Sequence, residues 1–484
     1  MIASQQEILS VLRQYNPWWD GRGVPDLPSW KRAVFSELRL WLTNPPANRA
    51  VMLSGARQVG KTTLFLQVIQ SLLNEGVRPE QILYVTFDHP LFKLVGLDEI
   101  LKISHELQPR TEGREYLLLD EIQYIQDWQS WLKHQVDFDK KRRIAVTGSA
   151  IPLANEGVES GVGRWHTIKL ATLSFFEYLQ IKKISQPNLP QVSSLTDIFA
   201  WDSNTFIRVG EMARPLVAHF HQYLLRGGFP QTALVESISV AQRLIREDII
   251  DKVLKRDMTA TFGVRRILQL EKTFLYLCLH DGGILDVPGL CKNLGMTRPT
   301  VNRFIDLLEA AHLIYKLVPH GYGKEILRAR HKVYLADAAI AGSVLLKGKA
   351  LIEDSTRLGA AVETAFFKHV FTRYYQDISV GFSYWRGKRD IEVDIVAEVA
   401  GEIIPFEVKY QQSRVTERDL KGIREFSELR EISRAYVVTR DLSDFGTLPI
   451  GKKHSRKEIV GDVPLVLKIP APLACYWLSQ SEVQ

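Results

Sequence analysis

The chain has 484 residues, 45% of them hydrophobic and 24% charged, which is the composition of an ordinary globular protein with length for about three domains. No apolar run reaches about 18 residues, and residues 1–19 lack the basic and apolar regions of a secretory signal, so we expect a cytoplasmic protein that contacts no membrane. The net charge of +7 permits binding to nucleic acid without requiring it.

The first motif with a chemical meaning is GARQVGKT at residues 55–62, which lies between an apolar run and a segment with apolar residues at helical spacing. A strand, a glycine loop and a helix in this order form a P-loop (Walker A), whose backbone N–H groups surround phosphates. Lys61 is expected on the β- and γ-phosphates of ATP, and the Thr62 hydroxyl on Mg²⁺. The residues predicted to bind the nucleotide here are Gly55, Ala56, Arg57, Gln58, Val59, Gly60, Lys61, Thr62 and Thr63.

A second motif, YLLLDE at residues 116–121, has the form of a buried parallel strand that ends on two acids (Walker B). Asp120 is expected in the Mg²⁺ shell at the carboxyl end of this strand. Glu121 is expected to polarise the attacking water, which requires a carboxylate beside the γ-phosphate. Acids in this position can also be solvated turn residues, but a phosphate loop upstream favours the catalytic interpretation.

Two further candidates follow along the chain. The strand RRIAVTGSA at residues 142–150 ends in Thr147 and Ser149, which are placed to sense a γ-phosphate or simply to end the strand. Arg164 follows a glycine-rich loop. It could complete a neighbour's site as an arginine finger or pair with a surface acid, and the sequence leaves both open.

Several segments together resemble one protein family. They are GARQVGKTT at 55–63, LLLDEIQ at 117–123, TGSA at 147–150, GRW and LSFFEYL within 163–179, and RGGFP at 226–230. In order and spacing they resemble the prokaryotic AAA-superfamily ATPases that carry a C-terminal domain of unknown function with a nuclease-like core. The resemblance implies an α/β protein that uses ATP and Mg²⁺, binds DNA and assembles as a homo-oligomer, with a hexameric ring favoured.

We accordingly expect five segments. They are an N-terminal extension (1–30), a P-loop ATPase core (31–183), a helical lid with a linker (184–265), a winged helix (266–345) and a nuclease-like, restriction-endonuclease-like α/β domain (346–484). The best linker within them is the Pro-, Ser- and Gln-rich stretch at 184–194. Basic segments at 140–143, 325–332 and 452–457 are more typical of solvated faces than of binding sites.

Residues 286–314 predict two helices around a turn at Gly295, followed by two strands and a basic turn, which is the pattern of a winged helix. The second helix keeps an apolar face through Val301, Ile305 and Leu308. Its exposed early positions carry donors that could reach DNA phosphates and base edges: Arg298, Thr300, Asn302 and Arg303. Winged helices also join proteins to one another, so this motif alone does not decide for DNA.

The last motif is IEVDIVAEVAGEIIPFEVKY at residues 391–410, which predicts two alternating strands. Asp394 and Glu407 would form an oxygen site for Mg²⁺, and Lys409 would orient water or stabilise charge on a phosphodiester. This resembles the PD-(D/E)xK nuclease pattern, whose helical glutamate corresponds to Glu363, although Val393 stands where a proline is usual. Many domains of this fold do not cut, so the residues leave cleavage open.

These features predict an ATP-hydrolysing motor that binds and remodels DNA, with a Mg²⁺-dependent nuclease domain left open. Branched DNA such as a Holliday junction is a candidate substrate by analogy, because the nuclease-like fold includes junction resolvases. The alternative is an ATP-dependent regulatory or defence switch whose nuclease-like domain is inactive and serves for docking to DNA or protein.

Overall fold

The computed structural model describes residues 4–109, 112–149, 163–321, 330–377, 379–388, 391–450 and 464–480. The chain divides into two compact units. Unit 1 comprises Met1–Leu170, Val253–Arg265 and Ala310–His312, and unit 2 comprises Ala171–Lys252, Arg266–Glu309 and Leu313–Gln484. No helix in the described ranges is long and apolar enough to cross a bilayer.

The elements follow in chain order. Up to residue 170 they are α1 (Gln5–Tyr15), α2 (Phe35–Thr43), β1 (Ala50–Gly55), α3 (Lys61–Asn74), β2 (Ile82–Thr86), α4 (Pro90–Lys93), α5 (Leu97–Leu107), β3 (Glu115–Asp120), α6 (Trp128–Phe138), β4 (Arg142–Gly148) and β5 (Trp165–Leu170). Up to residue 310 they are α7 (Phe175–Ile181), α8 (Ser203–Met212), α9 (Arg214–Arg226), α10 (Pro230–Leu234), α11 (Ile238–Leu244), α12 (Met258–Phe262), α13 (Ile267–Leu279), β6 (Gly283–Ile284), α14 (Val287–Leu294) and α15 (Arg298–Ala310). The remainder are β7 (Ile314–Pro319), β8 (Lys332–Leu335), α16 (Ala339–Val344), α17 (Ser355–Tyr374), β9 (Gly381–Arg386), β10 (Glu392–Val399), β11 (Glu402–Lys409), α18 (Lys421–Arg430), β12 (Arg434–Thr439), β13 (Gly446–Pro449), β14 (Leu465–Pro470) and α19 (Ala471–Gln480).

Unit 1 contains a parallel sheet with the strand order β2-β3-β4-β1-β5. Strands β1, β2 and β3 are almost continuously buried, as parallel strands covered on both faces usually are. Leu53 lies opposite Thr147, and Leu119 lies opposite Val146. The carboxyl ends of β1, β3 and β4 therefore lie side by side, at the edge where the motif residues are found.

Part of the predicted N-terminal extension belongs to the core of unit 1. Ile8 and Leu12 of α1 pack into the same apolar cluster as the strands. Just after α1, the Asn16 amide donates to the Tyr84 carbonyl over 2.9 Å and accepts from the Tyr84 N–H over 2.7 Å. These paired hydrogen bonds fix the start of the chain to β2, because a buried amide side chain needs its partners.

Unit 2 contains a mixed sheet with the strand order β13-β14-β12-β11-β10-β9-β7-β8-β6. Strands β7 and β8, predicted as the wing, pair antiparallel, and β7 continues the sheet by pairing parallel with β9. The predicted wing strands and the strands of the predicted nuclease-like domain thus share one sheet. Unit 2 also includes α7, since the Phe175 N–H donates to His369 Nε2 over 2.8 Å.

The predicted linker at 184–194 lies against the core of unit 2. Leu189 and Val192 are buried, and the Pro190 carbonyl accepts a hydrogen bond from the Trp477 indole over 3.1 Å. Buried apolar side chains and a satisfied carbonyl fix this stretch, so its Pro-rich composition reflects an irregular path rather than a free tether.

Helices α14 and α15 are joined through Gly295, whose φ of +62° is the left-handed conformation that ends α14. Leu290 of α14 and Val301, Ile305 and Leu308 of α15 are buried. The apolar positions therefore face inward at the spacing that the sequence indicates, and the polar positions of α15 remain outside.

Candidate functional site

The loop between β1 and α3 has the backbone geometry of a tight phosphate-binding turn. A Cβ at Gly55 would lie 2.2 Å from the Leu170 carbonyl oxygen, so only glycine fits beside β5. Gln58 and Gly60 have φ values of +61° and +100°. Helix α3 begins directly afterwards at Lys61, and its first N–H groups have no partner within the helix. The loop and the helix start together provide donors for an anion.

Lys61 is 4% exposed, which is unusual for a lysine. Its ammonium donates to the carbonyls of Gly55 and Ala56 over 2.9 Å each and lies 3.7 Å from Glu121 Oε1. The loop therefore holds a positive charge at its centre, where phosphate oxygens could replace the carbonyls as partners.

Asp120 is 2% exposed and lies at the end of β3. Its carboxylate accepts hydrogen bonds from Thr62 Oγ1 over 2.7 Å, from the Tyr84 hydroxyl over 2.9 Å and from Thr147 Oγ1. Burial, followed by the charge of Glu121, raises the pKa of Asp120 despite these donors. A hydroxyl and a carboxylate in contact are hard oxygen donors of the kind that Mg²⁺ takes, so Thr62 and Asp120 fit this ion.

Glu121 adopts the left-handed conformation with a φ of +56°, which costs a non-glycine residue roughly 1–2 kcal/mol. Its N–H donates to Thr147 Oγ1 over 2.9 Å, and its carboxylate accepts from Ser149 Oγ over 3.1 Å and from the Gln123 amide. Burial acts to raise the pKa of Glu121, but the positive charge of Lys61 and these hydrogen bonds hold it below its ordinary value. The side chain is thus an oriented, ionised carboxylate.

Thr147 and Ser149, predicted as sensors of the γ-phosphate, contact the two acids. Thr147 bridges the Asp120 carboxylate and the Glu121 backbone, and Ser149 contacts the Glu121 carboxylate. The structure therefore brings the P-loop, both acids of β3 and the end of β4 into one cluster. A sensor role for the two hydroxyls remains a prediction.

Two residues outside the predicted site also contact it. Arg57 Nη1 lies 3.3 Å from Asp257 Oδ2, and the Tyr124 hydroxyl donates to Asp257 Oδ1 over 3.2 Å. Asp257 ends a π-helical stretch, Val253–Asp257, a local distortion often found at functional sites. His312 Nε2 lies 2.7 Å from Ser54 Oγ, just before the loop. In the sequence the only signal for Asp257 is an acid within an otherwise apolar and basic stretch.

Arg164, the candidate arginine finger, lies near Asp137, with 3.3 Å between Arg164 Nε and Asp137 Oδ1. The two side chains are 40% and 35% exposed. This contact is the surface ion pair that the sequence leaves as one alternative. Exposed pairs of this kind contribute little to stability, so the arginine can change partner at small cost.

The predicted DNA-contacting residues lie on the outer side of α15. Arg298, Asn302 and Arg303 are exposed and Thr300 is half-buried. Arg298 and Asn302 line a pocket of about 300 Å³ together with Lys316 of β7, the start of α14 and the residues just before β8. The basic turn predicted between the wing strands, residues 322–329, and the basic segment at 452–457 lie outside the described residues.

The predicted nuclease-like residues come together in unit 2. Lys409 Nζ lies 2.7 Å from Glu407 Oε1, and the Val408 N–H donates to Asp394 Oδ2 over 2.8 Å. Burial, followed by the charge of Asp394, raises the pKa of Glu407 to about 8 and that of Glu363 to about 7. These carboxyl groups are close enough to repel one another.

One residue of this cluster was interpreted wrongly from the sequence. Lys332 ends the basic segment 325–332, which the charge pattern predicts to be a solvated face, but its side chain is only 1% exposed. Its ammonium lies 2.9 Å from Glu363 Oε1, 2.7 Å from Glu392 Oε1 and 2.9 Å from Asp394 Oδ1. Lys332 is the first residue of β8, and a lysine at the start of an apolar strand was the available signal. Among the described residues, no group of three or more His, Cys, Asp or Glu side chains is placed to hold a metal ion.

Comparisons with known proteins agree with the P-loop geometry. Residues 47–179 match the family model of the AAA domain. Residues 217–350 and 358–451 match two domains of unknown function, DUF8612 and DUF4143. An uncharacterized protein of Haemophilus influenzae is 26% identical over 370 residues, which are 74% of this chain and 82% of that protein. An uncharacterized protein of Methanocaldococcus jannaschii is 24% identical over 330 residues, which are 67% of this chain and 68% of that protein.

Two solved structures are similar at low TM-scores. The Aeropyrum pernix ORC1 protein in complex with DNA has a TM-score of 0.31 at 13% identity, with 68% of this chain and 95% of that chain covered. The structure of C. elegans PCH-2 has a TM-score of 0.25 at 16% identity, with 47% of this chain and 62% of that chain covered. TM-scores this low do not establish a shared overall fold. The family match and the loop geometry instead identify residues 47–179 as an AAA-type P-loop domain.

Proposed function

We propose that unit 1 binds ATP with Mg²⁺ and hydrolyses it, and that this reaction drives a protein that binds and remodels DNA. One observation carries the first part of the proposal: Lys61, Thr62, Asp120 and Glu121 converge where the P-loop, β3 and β4 end. A buried cation, a metal-binding pair of oxygens and an ionised carboxylate are the groups that phosphoryl transfer to water requires.

Each side chain has a separate task. Lys61 exchanges the carbonyls of Gly55 and Ala56 for phosphate oxygens and neutralises their charge. Thr62 and Asp120 would hold Mg²⁺, which supplies further charge neutralisation when bound. Glu121, fixed by Ser149 and ionised, orients the attacking water and accepts its proton.

The decisive assay measures ATP hydrolysis in the presence and absence of DNA. Linear duplex, single-stranded and four-way DNA are compared at equal nucleotide concentration. Stimulation by DNA supports the motor, and preference for the four-way form would extend the proposal to branched substrates. Hydrolysis that no DNA alters would favour the regulatory switch instead.

DNA contact is proposed for the exposed residues near the start of α15, since Arg298 and Arg303 are both exposed there. We expect Arg298→Ala and Arg303→Ala each to weaken DNA binding and to reduce the slope of log K against log salt by about 1, because each lost phosphate contact releases about one counterion fewer. Fluorescence anisotropy over a range of salt concentrations measures both quantities.

The matched control for these variants is Arg208→Ala, which removes an exposed arginine from α8 in the same unit. It should leave the affinity and the salt slope unchanged. Equal losses in all three variants would show a general effect of net charge and would remove α15 from its role.

The proposed oligomer predicts complementation through Arg164. If Arg164 acts on a neighbour's nucleotide, a mixture of Arg164→Ala and Lys61→Ala chains should recover part of the hydrolysis that each lacks alone, because a mixed ring pairs intact Arg164 with an intact Lys61 site. Hydrolysis rates of co-purified mixed oligomers measure this recovery. No recovery in verified mixed oligomers would leave Arg164 as the local partner of Asp137.

A second candidate function is the ATP-dependent switch whose C-terminal domain does not cut and serves for docking. The position of Lys332 among the carboxylates favours this interpretation of the C-terminal domain. If the C-terminal domain docks to protein alone, the two candidates differ in their DNA affinity. The affinity of a motor that contacts DNA phosphates falls steeply with salt concentration, and a protein-docking surface has no such affinity.

A further inference from the structure

The carboxylate cluster of unit 2 surrounds the ammonium of a buried lysine, Lys332. Lys332 is buried, and its ammonium makes contacts with three carboxylates: Glu363, Glu392 and Asp394. An ammonium has three N–H donors, so each carboxylate can accept one of them. The Tyr334 hydroxyl gives Glu363 a second donor over 2.7 Å, and the Val408 N–H gives Asp394 a second donor.

Because Lys332 is buried, its ammonium and the surrounding carboxylates depend on each other for charge neutralisation. A buried ammonium without partners is strongly disfavoured, and so is a group of close carboxylates without a cation. The two penalties offset each other only while Lys332 remains in place. A Mg²⁺ ion bound to the same oxygens would lie about 2.1 Å from each, and its charge would repel the ammonium that contacts them.

We propose that Lys332 is the resident cation of this cluster and takes the position that a nuclease metal would need. The Mg²⁺ implied by the resemblance to PD-(D/E)xK nucleases therefore does not fit the residues present. The lysine side chain stabilises the cluster permanently and leaves the C-terminal domain without metal-dependent cleavage. This inference is independent of ATP, and it gives a physical reason why the C-terminal domain of the second candidate function would not cut.

The strongest opposing observation concerns Glu407. It is buried, and its Oε2 atom has no hydrogen-bond partner, although Oε1 contacts Lys409. An orphaned carboxylate oxygen beside Asp394 could accept a metal ion. The two interpretations predict different behaviour of the unmodified protein toward Mn²⁺, so the experiment includes that measurement.

The test uses the full chain without nucleotide and DNA, and Mn²⁺ as the probe. We expect Mn²⁺ to raise the unfolding temperature of the unmodified protein no more than that of Asp394→Asn, since both proteins keep the Thr62 and Asp120 pair of unit 1. Lys332→Met should unfold at a lower temperature in EDTA, and Mn²⁺ about 100-fold above its Kd should raise that temperature by roughly 5 °C. Electron paramagnetic resonance should show one more bound Mn²⁺ per chain in this variant than in the unmodified protein.

The matched control is Lys368→Met. Lys368 is equally buried, and it donates to the Thr172 and Tyr223 hydroxyls and the Leu173 carbonyl and lies 3.4 Å from the Asp337 carboxylate. Its loss should lower the unfolding temperature without recovery in Mn²⁺. Recovery in both variants would show a general effect of the ion and overturn the proposal, as would a Lys332→Met protein that neither loses stability nor gains Mn²⁺.

A further measurement applies even if Lys332→Met does not fold. Unmodified protein and Asp394→Asn are compared for Mn²⁺ binding and for Mn²⁺-dependent cleavage of linear, single-stranded and four-way DNA. Equal Mn²⁺ binding and no cleavage support the resident lysine. Binding or cleavage that disappears in Asp394→Asn would overturn it and restore the metal site of Asp394 and Glu407. Because no nucleotide is present, failure of ATP hydrolysis would not affect either result.

Discussion

Replacement of Lys61 by alanine is expected to weaken ATP binding by at least about 30-fold, which corresponds to about 2 kcal/mol or more, and to abolish measurable hydrolysis. The variant removes the buried ammonium at the centre of the loop and with it the charge that neutralises the phosphates. Isothermal titration with ATP and Mg²⁺ measures the affinity, and release of phosphate measures the hydrolysis.

Loss of Lys61 could also disturb the loop, since the ammonium contacts two loop carbonyls. Circular dichroism and the unfolding temperature distinguish this effect from lost phosphate contacts. Lys102→Ala is the matched control, because Lys102 is a lysine of unit 1 whose side chain is 68% exposed. Its ammonium lies 4.0 Å from Glu99 Oε2. An unchanged ATP affinity in a folded Lys61→Ala protein would exclude the P-loop as the nucleotide site.

Glu121→Gln is expected to retain ATP binding and to lower turnover by roughly 10²- to 10⁴-fold, which is the usual contribution of a general base. Glutamine has nearly the same shape, but it cannot accept a proton. Its neutral amide also removes a negative charge near the bound phosphates, so the affinity for ATP should be equal or slightly higher. Single-turnover hydrolysis and a binding titration on the same preparation separate the two effects.

The control for Glu121→Gln is Glu99→Gln, which makes the same chemical change at a side chain of unit 1 with 54% exposure. Its turnover should equal that of the unmodified protein. Normal turnover by Glu121→Gln would assign the base to another group, whereas a parallel loss of binding would show that the carboxylate mainly organises the loop through Lys61.

The P-loop is the part of this protein that its sequence predicts best. The requirements of a phosphate loop are local: Gly55, a left-handed turn and a helix that begins at Lys61 all lie within a few residues of one another. Asp120 is predictable for a related reason, because acids after a buried strand lie at the same sheet edge as the loop. The AAA domain match over 47–179 agrees with this part of the analysis.

The contacts that sequence reasoning missed are long-range ones. Asp257 contacts Arg57 across 200 positions of the chain, and Lys332 contacts Asp394 across 62. Local charge patterns describe the surface of an isolated segment and cannot show which cations become buried by distant strands. For Lys332 the pattern therefore predicted solvent exposure, while the sheet of unit 2 buries the side chain among acids.

The separation of Arg57 and Asp257 along the chain affects how unit 1 forms during synthesis. The loop residue is translated 200 positions before its carboxylate partner, and Ser54 is translated 258 positions before His312. At a translation rate of about 5–20 residues per second, Asp257 is made roughly 10–40 s after Arg57. Contacts of such high sequence separation form slowly, because a long loop must close first. The nucleotide unit is therefore completed only after part of unit 2, residues 171–252 and 266–309, has been translated.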